Sequence, residues 1–461
     1  MPNFKKLARN YEKNAILTLQ ELVKIDSTFD PKTVSPNTPY GKGVDRALDA
    51  LLKLSKEHGF KVEKTLNRCA EVSFGEQGPL VGVYAHLDVV PATGKWDYPP
   101  FGAKIEGEGK ERKLYGRGAS DDKGPLVAAY YAIKLLKDAG LIDGYRVRLV
   151  AGGDEERGSS CLESYFAKGK KEQADYGFTP DADFPLIYAE KAIIHGYLEK
   201  KVDLSPIVAI EGGSALNAVC DKVYVTLPKS DRLKKMFEAD KTLGDYSEAG
   251  DIAIACFKGK SAHASTPELG VSAASKAFTA LGEALDKPLL SKLGLLCACH
   301  DGSLWGAASC SKELGKGTYC FGVVKYDSKQ NLSISVDYRY GEGVDGEAST
   351  KKLADYATMD FKSSSKADCL LFDKKSPLVS TLMKSYKHMT HRYFDKPLAI
   401  GGGTYAKEAK NTVAYGSAFK GHPGDIHAPN EYIYISDFLA QIAIYADAIY
   451  RLGQLKENKG K

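Results

Sequence analysis

The sequence predicts an α/β protein: a catalytic domain with a mostly parallel central sheet flanked by helices, and a large α+β domain inserted into it. Three observations predict it. Helical and strand-like patterns alternate through the first half of the chain. Over residues 190–375 the texture changes to strands mixed with helices, and from residue 376 the alternation returns. A chain of 461 residues is also long for a single hydrophobic core. The expected division is 1–189 and 376–461 for the catalytic domain and 190–375 for the insertion.

Each element has its own warrant. Residues 11–26 place Ile16, Leu19, Leu22 and Val23 on one helical face, and 44–57 do the same with Val44, Leu48, Leu51 and Leu52. Apolar runs at 80–85, 147–151 and 176–178 read as buried strands. Between the first two, 125–139 reads as a helix, with Pro125 suited to its first turn and Gly140 to its C-terminal cap. In the insertion, 222–227 and 332–338 read as strands and 273–285 as a helix. Helices near 377–391 and 436–452 close the chain, and the tail from Lys456 is expected to be disordered.

Composition excludes several classes. Hydrophobic residues make up 43% and charged residues 27%, as in ordinary globular proteins. Lys plus Arg exceed Asp plus Glu by only 64 to 59, and the basic residues are scattered rather than gathered in a stripe. That argues against nucleic acid as a partner. No apolar run approaches the ~20 residues of a membrane span, and the N-terminus lacks the apolar centre of a secretory signal. Nine cysteines without repeating spacing fit reduced thiols better than a disulfide framework. The expectation is a cytoplasmic protein.

Candidate chemistry gathers where the apolar runs end. After 80–85 comes His86-Leu87-Asp88-Val89-Val90-Pro91. After 147–151 comes Gly152-Gly153-Asp154-Glu155-Glu156, and after 176–178 comes Thr179-Pro180-Asp181-Ala182-Asp183. The carboxyl ends of strands line the crevice of an open α/β sheet, so groups distant in sequence converge there. A fourth group, Gly116-Arg117-Gly118-Ala119-Ser120-Asp121-Asp122-Lys123-Gly124, precedes the 125–139 helix. Each group alone is ordinary: a His-x-Asp pair is commonly a surface hydrogen bond, and a Glu-Glu pair is commonly solvated. Their conjunction points to a metal site of more than one ion, because imidazole with several carboxylates suits zinc or manganese. Burying that many carboxylates without a cation is costly. Cys297, Cys299 and His300 form one short cluster without the second ligand pair of a structural zinc site, and read as ordinary thiols. No Gly-x-Ser-x-Gly elbow is present.

These motifs, in this order and over nearly the whole chain, resemble the co-catalytic zinc peptidases that include aminoacylase and carboxypeptidase G. Within them the sequence is most similar to the PepV-like dipeptidases and their carnosinase-like relatives. The residues that carry the likeness are His86 to Pro91 with Trp96, Gly116-x-Gly-x-x-Asp121-x-Lys-Gly, Asp154-Glu155-Glu156 and Pro180 to Pro185. The five fixed positions of the second motif have a chance occurrence on the order of 10⁻³ in such a chain.

The resemblance implies two divalent ions, zinc foremost, with manganese or cobalt as alternatives. Asp121 would bridge them, His86 and Asp181 completing one set and Glu156 and His427 the other. Asp183 and His422 stay open as rivals to Asp181 and His427. Asp88 would orient the His86 imidazole. Glu155 would be the general base, since two cations bring the pKa of a water from ~15.7 toward about 7. In the insertion, which the resemblance makes a lid, His263 would reach the tetrahedral intermediate. Asn217, Arg339, Gly403 and Thr404 would hold the substrate and its carboxylate. The implied activity is hydrolysis of dipeptides, with Xaa-His or β-alanyl dipeptides as family possibilities, by a monomer. The alternatives are an N-acyl-amino-acid amidohydrolase with the same mechanism and a non-enzymatic binder. The complete set of Glu155, both ligand groups and His263 argues against the latter.

Overall fold

The computed structural model describes residues 2–456. They divide into two compact units. Among the described residues the first comprises 2–188, 372–398 and 403–456, and the second comprises Ala189–Leu371 and Ala399–Gly402. Phe372 to Lys375 thus fall in the first unit, and a four-residue piece around Gly401 falls in the second. Past Lys456, the tail expected to be disordered lies outside the described residues.

In the first unit six strands lie side by side in the order Lys61–Thr65, Cys69–Phe74, Arg146–Gly152, Leu80–His86, Tyr176–Thr179 and Thr412–Ala414. The last four run parallel to one another, and the first two form an antiparallel edge. Leu80–His86 is buried at every position, which is why its sequence is a continuous apolar run rather than an alternation. The helices Lys123–Asp138, Glu12–Val23, Pro377–Thr390 and Ile435–Gly453 cover the sheet and one another. Lys42–Glu57 packs on the edge strands. The helix expected at 125–139 begins two residues earlier, with Pro125 inside its first turn, and Gly140 follows its end at φ +64°.

The second unit is built on an antiparallel sheet in the order Gly244–Ala249, Ile252–Lys258, Lys222–Pro228, Ala209–Gly212, Val324–Tyr326, Asn331–Tyr340, Ala192–Lys201 and Asp360–Ala367. Thr318–Cys320 pairs beside Asn331–Tyr340. Lys222–Pro228 alternates exposed and buried positions, because one face of the strand packs on a core shared with the helices Ala273–Ala284 and Pro288–Ala298. All nine cysteines are unbridged. Among the described residues no helix is long and apolar enough to cross a membrane.

Candidate metal centre

The parallel strands of the first unit explain why the sequence motifs meet. Leu80–His86 lies between Arg146–Gly152 and Tyr176–Thr179, with His86 opposite Gly152. The three segments that leave these strands therefore emerge side by side: Leu87-Asp88, Gly153 to Glu156, and Pro180-Asp181. Asp121 arrives from the turn that opens the Lys123–Asp138 helix. In that turn Gly118 has φ +85°, and a Cβ there would meet Val89 and Lys123. A Cβ on Gly124 would lie 2.1 Å from the Ala119 carbonyl oxygen. The glycines of the motif thus let the turn close tightly under Asp121.

Asp121 holds the centre. Its Oδ1 is 3.0 Å from His86 Nε2, and its Oδ2 is 2.9 Å from His427 Nε2. His86 Nε2 is also 3.7 Å from Asp181 Oδ2, and His427 Nε2 is 3.0 Å from Glu156 Oε1. One carboxylate therefore faces two imidazoles, each with a second carboxylate beside it. Two overlapping groups, His86 with Asp121 and Glu156, and His86 with Glu155 and Asp181, bring their ligand atoms within 4.8 Å of one another. Asp183, by contrast, is exposed, and its backbone bridges to Ala418. His422 pairs with Asp437 at 2.5 Å and lies against Tyr434. Neither rival joins the cluster.

The electrostatics of the cluster fit a divalent cation. Burial, followed by the Asp121 charge, pushes Asp181 up to about 7. Burial first, then neighbouring charges that include Asp181, Glu156 and Asp121, pushes Glu155 well above the usual range. Hydrogen bonds to Asp121 and Glu156 push His427 up to about 11. Burial opposes ionisation of Asp121 too, but the two histidines outweigh it and hold its carboxyl low. Four carboxylates cannot all stay ionised in so small a buried volume without positive charge among them. A cation supplies that charge, and imidazole plus carboxylate oxygen is a donor set zinc and manganese accept.

Asp88 contacts the His86 imidazole through its main chain more closely than through its carboxylate. The His86 Nδ1 partner is the Asp88 backbone carbonyl, at 2.9 Å, while the Asp88 carboxylate is 3.5 Å away. That carboxylate accepts the backbone N–H groups of Glu155 and Glu156, each at 3.1 Å. Asp88 thus fixes the imidazole through its main chain and the Glu155-Glu156 pair through its side chain.

Further residues support the cluster from outside it. Glu431 is fully buried and accepts from Arg117 Nη1 at 2.6 Å and from the backbone N–H groups of Gly118, Ser120 and Asp121. Arg117 also donates to the Ala428 carbonyl. Together they tie the loop carrying His427 to the turn carrying Asp121. Asp122, joined to Asp121 by a cis peptide, accepts the His86 N–H. Lys123 is buried and donates to the Leu22 and Ile25 carbonyls at the end of the Glu12–Val23 helix, and burial pushes its ammonium down to about 7. Tyr405 sets its ring edge-on to His86 at 6.2 Å, and its hydroxyl lies 3.0 Å from Cys161 Sγ. Thr404, beside it, caps the following turn by accepting the Ala406 N–H. Gly403 belongs to the same unit.

The remaining candidates lie together in the second unit. The His263 backbone bridges to Ala218, and the Ala264 N–H donates to the Asn217 carbonyl. His263 Nδ1 is 2.7 Å from Ser265 Oγ, and Thr318 Oγ1 donates to the Ala264 carbonyl. Thr318 in turn pairs with Arg339 in the sheet. Arg339 grips both oxygens of Asp337 at 2.9 Å through Nε and Nη2 and donates through Nη1 to the Gly401 carbonyl at 2.8 Å. Cys297 is core, and the Cys299 thiol faces Asp301.

The cluster at the strand ends of the first unit is a candidate metal centre on an open α/β sheet, and comparison with known proteins names its class. The profile of peptidase family M20/M25/M40 matches residues 82–451, and the chain belongs to that family of peptide-bond hydrolases. It is 33% identical to YtjP of Bacillus subtilis strain 168, over 96% of this chain and 98% of that one. It is 31% identical to the Beta-Ala-Xaa dipeptidase of Lactobacillus delbrueckii subsp. lactis, over 99% of each. Among solved structures, the di-peptidase Dug1p from Saccharomyces cerevisiae shares the fold at a TM-score of 0.61 and 14% identity, over 98% of both chains. Human carnosine dipeptidase 1 shares it at 0.58 and 14%, over 99% of this chain and all of that one.

Proposed function

We propose that this chain is a metal-dependent dipeptidase that hydrolyses the single peptide bond of a dipeptide. The observation that carries the reading is Asp121, whose two carboxylate oxygens each face a different histidine, with Glu155 and Glu156 beside them. Relatives whose full length the chain matches include a Beta-Ala-Xaa dipeptidase, so β-alanyl dipeptides belong in the substrate panel.

His86 and Asp181 would hold one divalent ion, Glu156 and His427 a second, and Asp121 would share both. Two such ions supply an acidified water and a polarised carbonyl. Glu155 is the carboxylate left to work as base: it takes the proton of the water and hands it to the leaving amine nitrogen. His263, steadied by Ser265, donates to the oxyanion. Arg339, preorganised by Asp337, pairs with the substrate carboxylate, and Asn217, Gly403 and Thr404 complete the binding of that end. Histidine and carboxylate ligands without thiolate accept zinc, manganese or cobalt, and zinc is the ion expected first. A reducing, cytoplasmic compartment agrees with nine unbridged cysteines, and the large inserted unit makes a monomer the expected state.

The test is release of free amino acids from dipeptides, β-alanyl dipeptides, tripeptides and N-acetyl amino acids, with metal supplied. Cleavage of dipeptides and not tripeptides is expected. Turnover of N-acetyl amino acids alone would replace this reading with an N-acyl-amino-acid amidohydrolase.

A further inference from the structure

The second unit contains a cavity of about 880 Å³, within the range that small-molecule sites occupy. Its lining joins aliphatic side chains, Leu295 and Leu304 among them, to Ser265, Thr318 and Lys191. Each of the last three is tied to a residue assigned above to substrate recognition. Ser265 holds the His263 ring, and Thr318 is the cross-strand partner of Arg339. Lys191 donates its N–H to the Ile400 carbonyl, one residue before the Gly401 that Arg339 contacts. The cavity therefore opens directly beside the groups that would hold the C-terminal end of a dipeptide.

Its charge is uneven. Glu268, Asp301 and Lys316 also line it, but all three are exposed. Asp301 is already engaged by the N–H and hydroxyl of Ser303. Lys191 is the charged lining residue that is buried, at 7% exposure, with its ammonium donating to the Lys316 carbonyl. Burial, then the charge of nearby Arg339, depresses its pKa. Asp337 already balances the Arg339 charge, and an anion brought against the Lys191 ammonium offsets the cost of keeping that ammonium buried. Arg339, gripped by Asp337, is built to meet one carboxylate; Lys191 faces the space where a second would lie.

We propose that this cavity receives the C-terminal residue of the dipeptide and that Lys191 makes the enzyme selective there for an acidic side chain, aspartate or glutamate, over the matching amide. The proposal rests on the dipeptidase reading and names its substrate class. The comparison of acid with amide isolates the charge, because size and shape hardly change. A charge-assisted hydrogen bond in a partly buried site is worth roughly tenfold or more in specificity.

The test measures kcat/KM of the metal-loaded enzyme for Ala-Glu, Ala-Gln, Ala-Asp and Ala-Asn. The wild type should favour each acid over its amide by about tenfold or more. Lys191→Met should bring that ratio close to one, mainly through KM for the acids, and Lys191→Arg should largely keep it. Equal use of acid and amide by the wild type overturns the proposal while leaving the dipeptidase reading intact. So does a preference that survives Lys191→Met. If Lys191→Met does not fold, the wild-type ratio and Lys191→Arg still decide. Cleavage of none of the four, nor of any other dipeptide, overturns the dipeptidase reading and this one with it.

Discussion

The two units hold their functional side chains in opposite electrostatic states. In the first, four carboxylates and two histidines crowd at the ends of buried parallel strands, with more negative charge than the protein's own cations balance. In the second, Arg339 and Asp337 neutralise each other through two hydrogen bonds, and His195 reaches the same carboxylate at 3.2 Å. An uncompensated cluster calls for a cation and does chemistry with it; a self-compensated one is rigid before substrate arrives and serves recognition. The division of labour follows from where each charge is balanced.

Four substitutions sharpen or break this contrast. The largest effect is expected from Glu155→Gln, which keeps size but removes the base: kcat should fall by about 10²–10⁴-fold with bound metal unchanged. Activity near that of the wild type would remove Glu155 from the chemistry. His263→Ala should lower kcat by about 10²–10³-fold, the usual cost of losing an oxyanion donor, again without loss of metal. If metal is lost, His263 contributes to the metal centre rather than to the oxyanion alone. Glu431→Gln should weaken metal affinity by about 10–100-fold, measured by competition with a chelator, because Asp121 and His427 lose their common anchor.

The smallest effect concerns pH. Burial pushes Asp337 up, but hydrogen bonds from His195 and Arg339 outweigh it, so its folded pKa lies below the unfolded value. The stability it contributes is therefore fully present above the unfolded pKa and lost as pH falls through the folded one. Urea midpoints followed downward from pH 6 should fall more steeply for the wild type than for Asp337→Asn. Parallel curves would mean that Asp337 carries no titrating stability.

The first unit was far more legible in the sequence than the second. The apolar runs at 80–85, 147–151 and 176–178 are buried parallel strands, and a rule about strand ends then brings His86, Glu155, Glu156 and Asp181 together. Asp121 comes from a turn that its glycine motif marked, and His427 comes from a loop that the resemblance alone marked. Glu431 gave little warning, because three of its four partners are backbone N–H groups of a loop some three hundred positions away. Asp88 illustrates the same limit: that it mattered was readable, but not that its carbonyl and carboxylate would serve different neighbours. In the second unit, Asn217, His263 and Arg339 have no shared spacing, and sheet register rather than sequence pattern joins them. The passage of Ala399–Gly402 into that unit, where Gly401 meets Arg339, has no local signature at all.

The most direct test of the account is a titration of metal-stripped protein with Zn²⁺, reading bound metal per chain and dipeptide hydrolysis in the same samples. The account predicts no hydrolysis without metal and binding that saturates at two ions per chain. Asp121→Asn should impair both sites together because the two histidines share that carboxylate. Hydrolysis by the stripped protein, or saturation at a single ion that Asp121→Asn leaves in place, would contradict it.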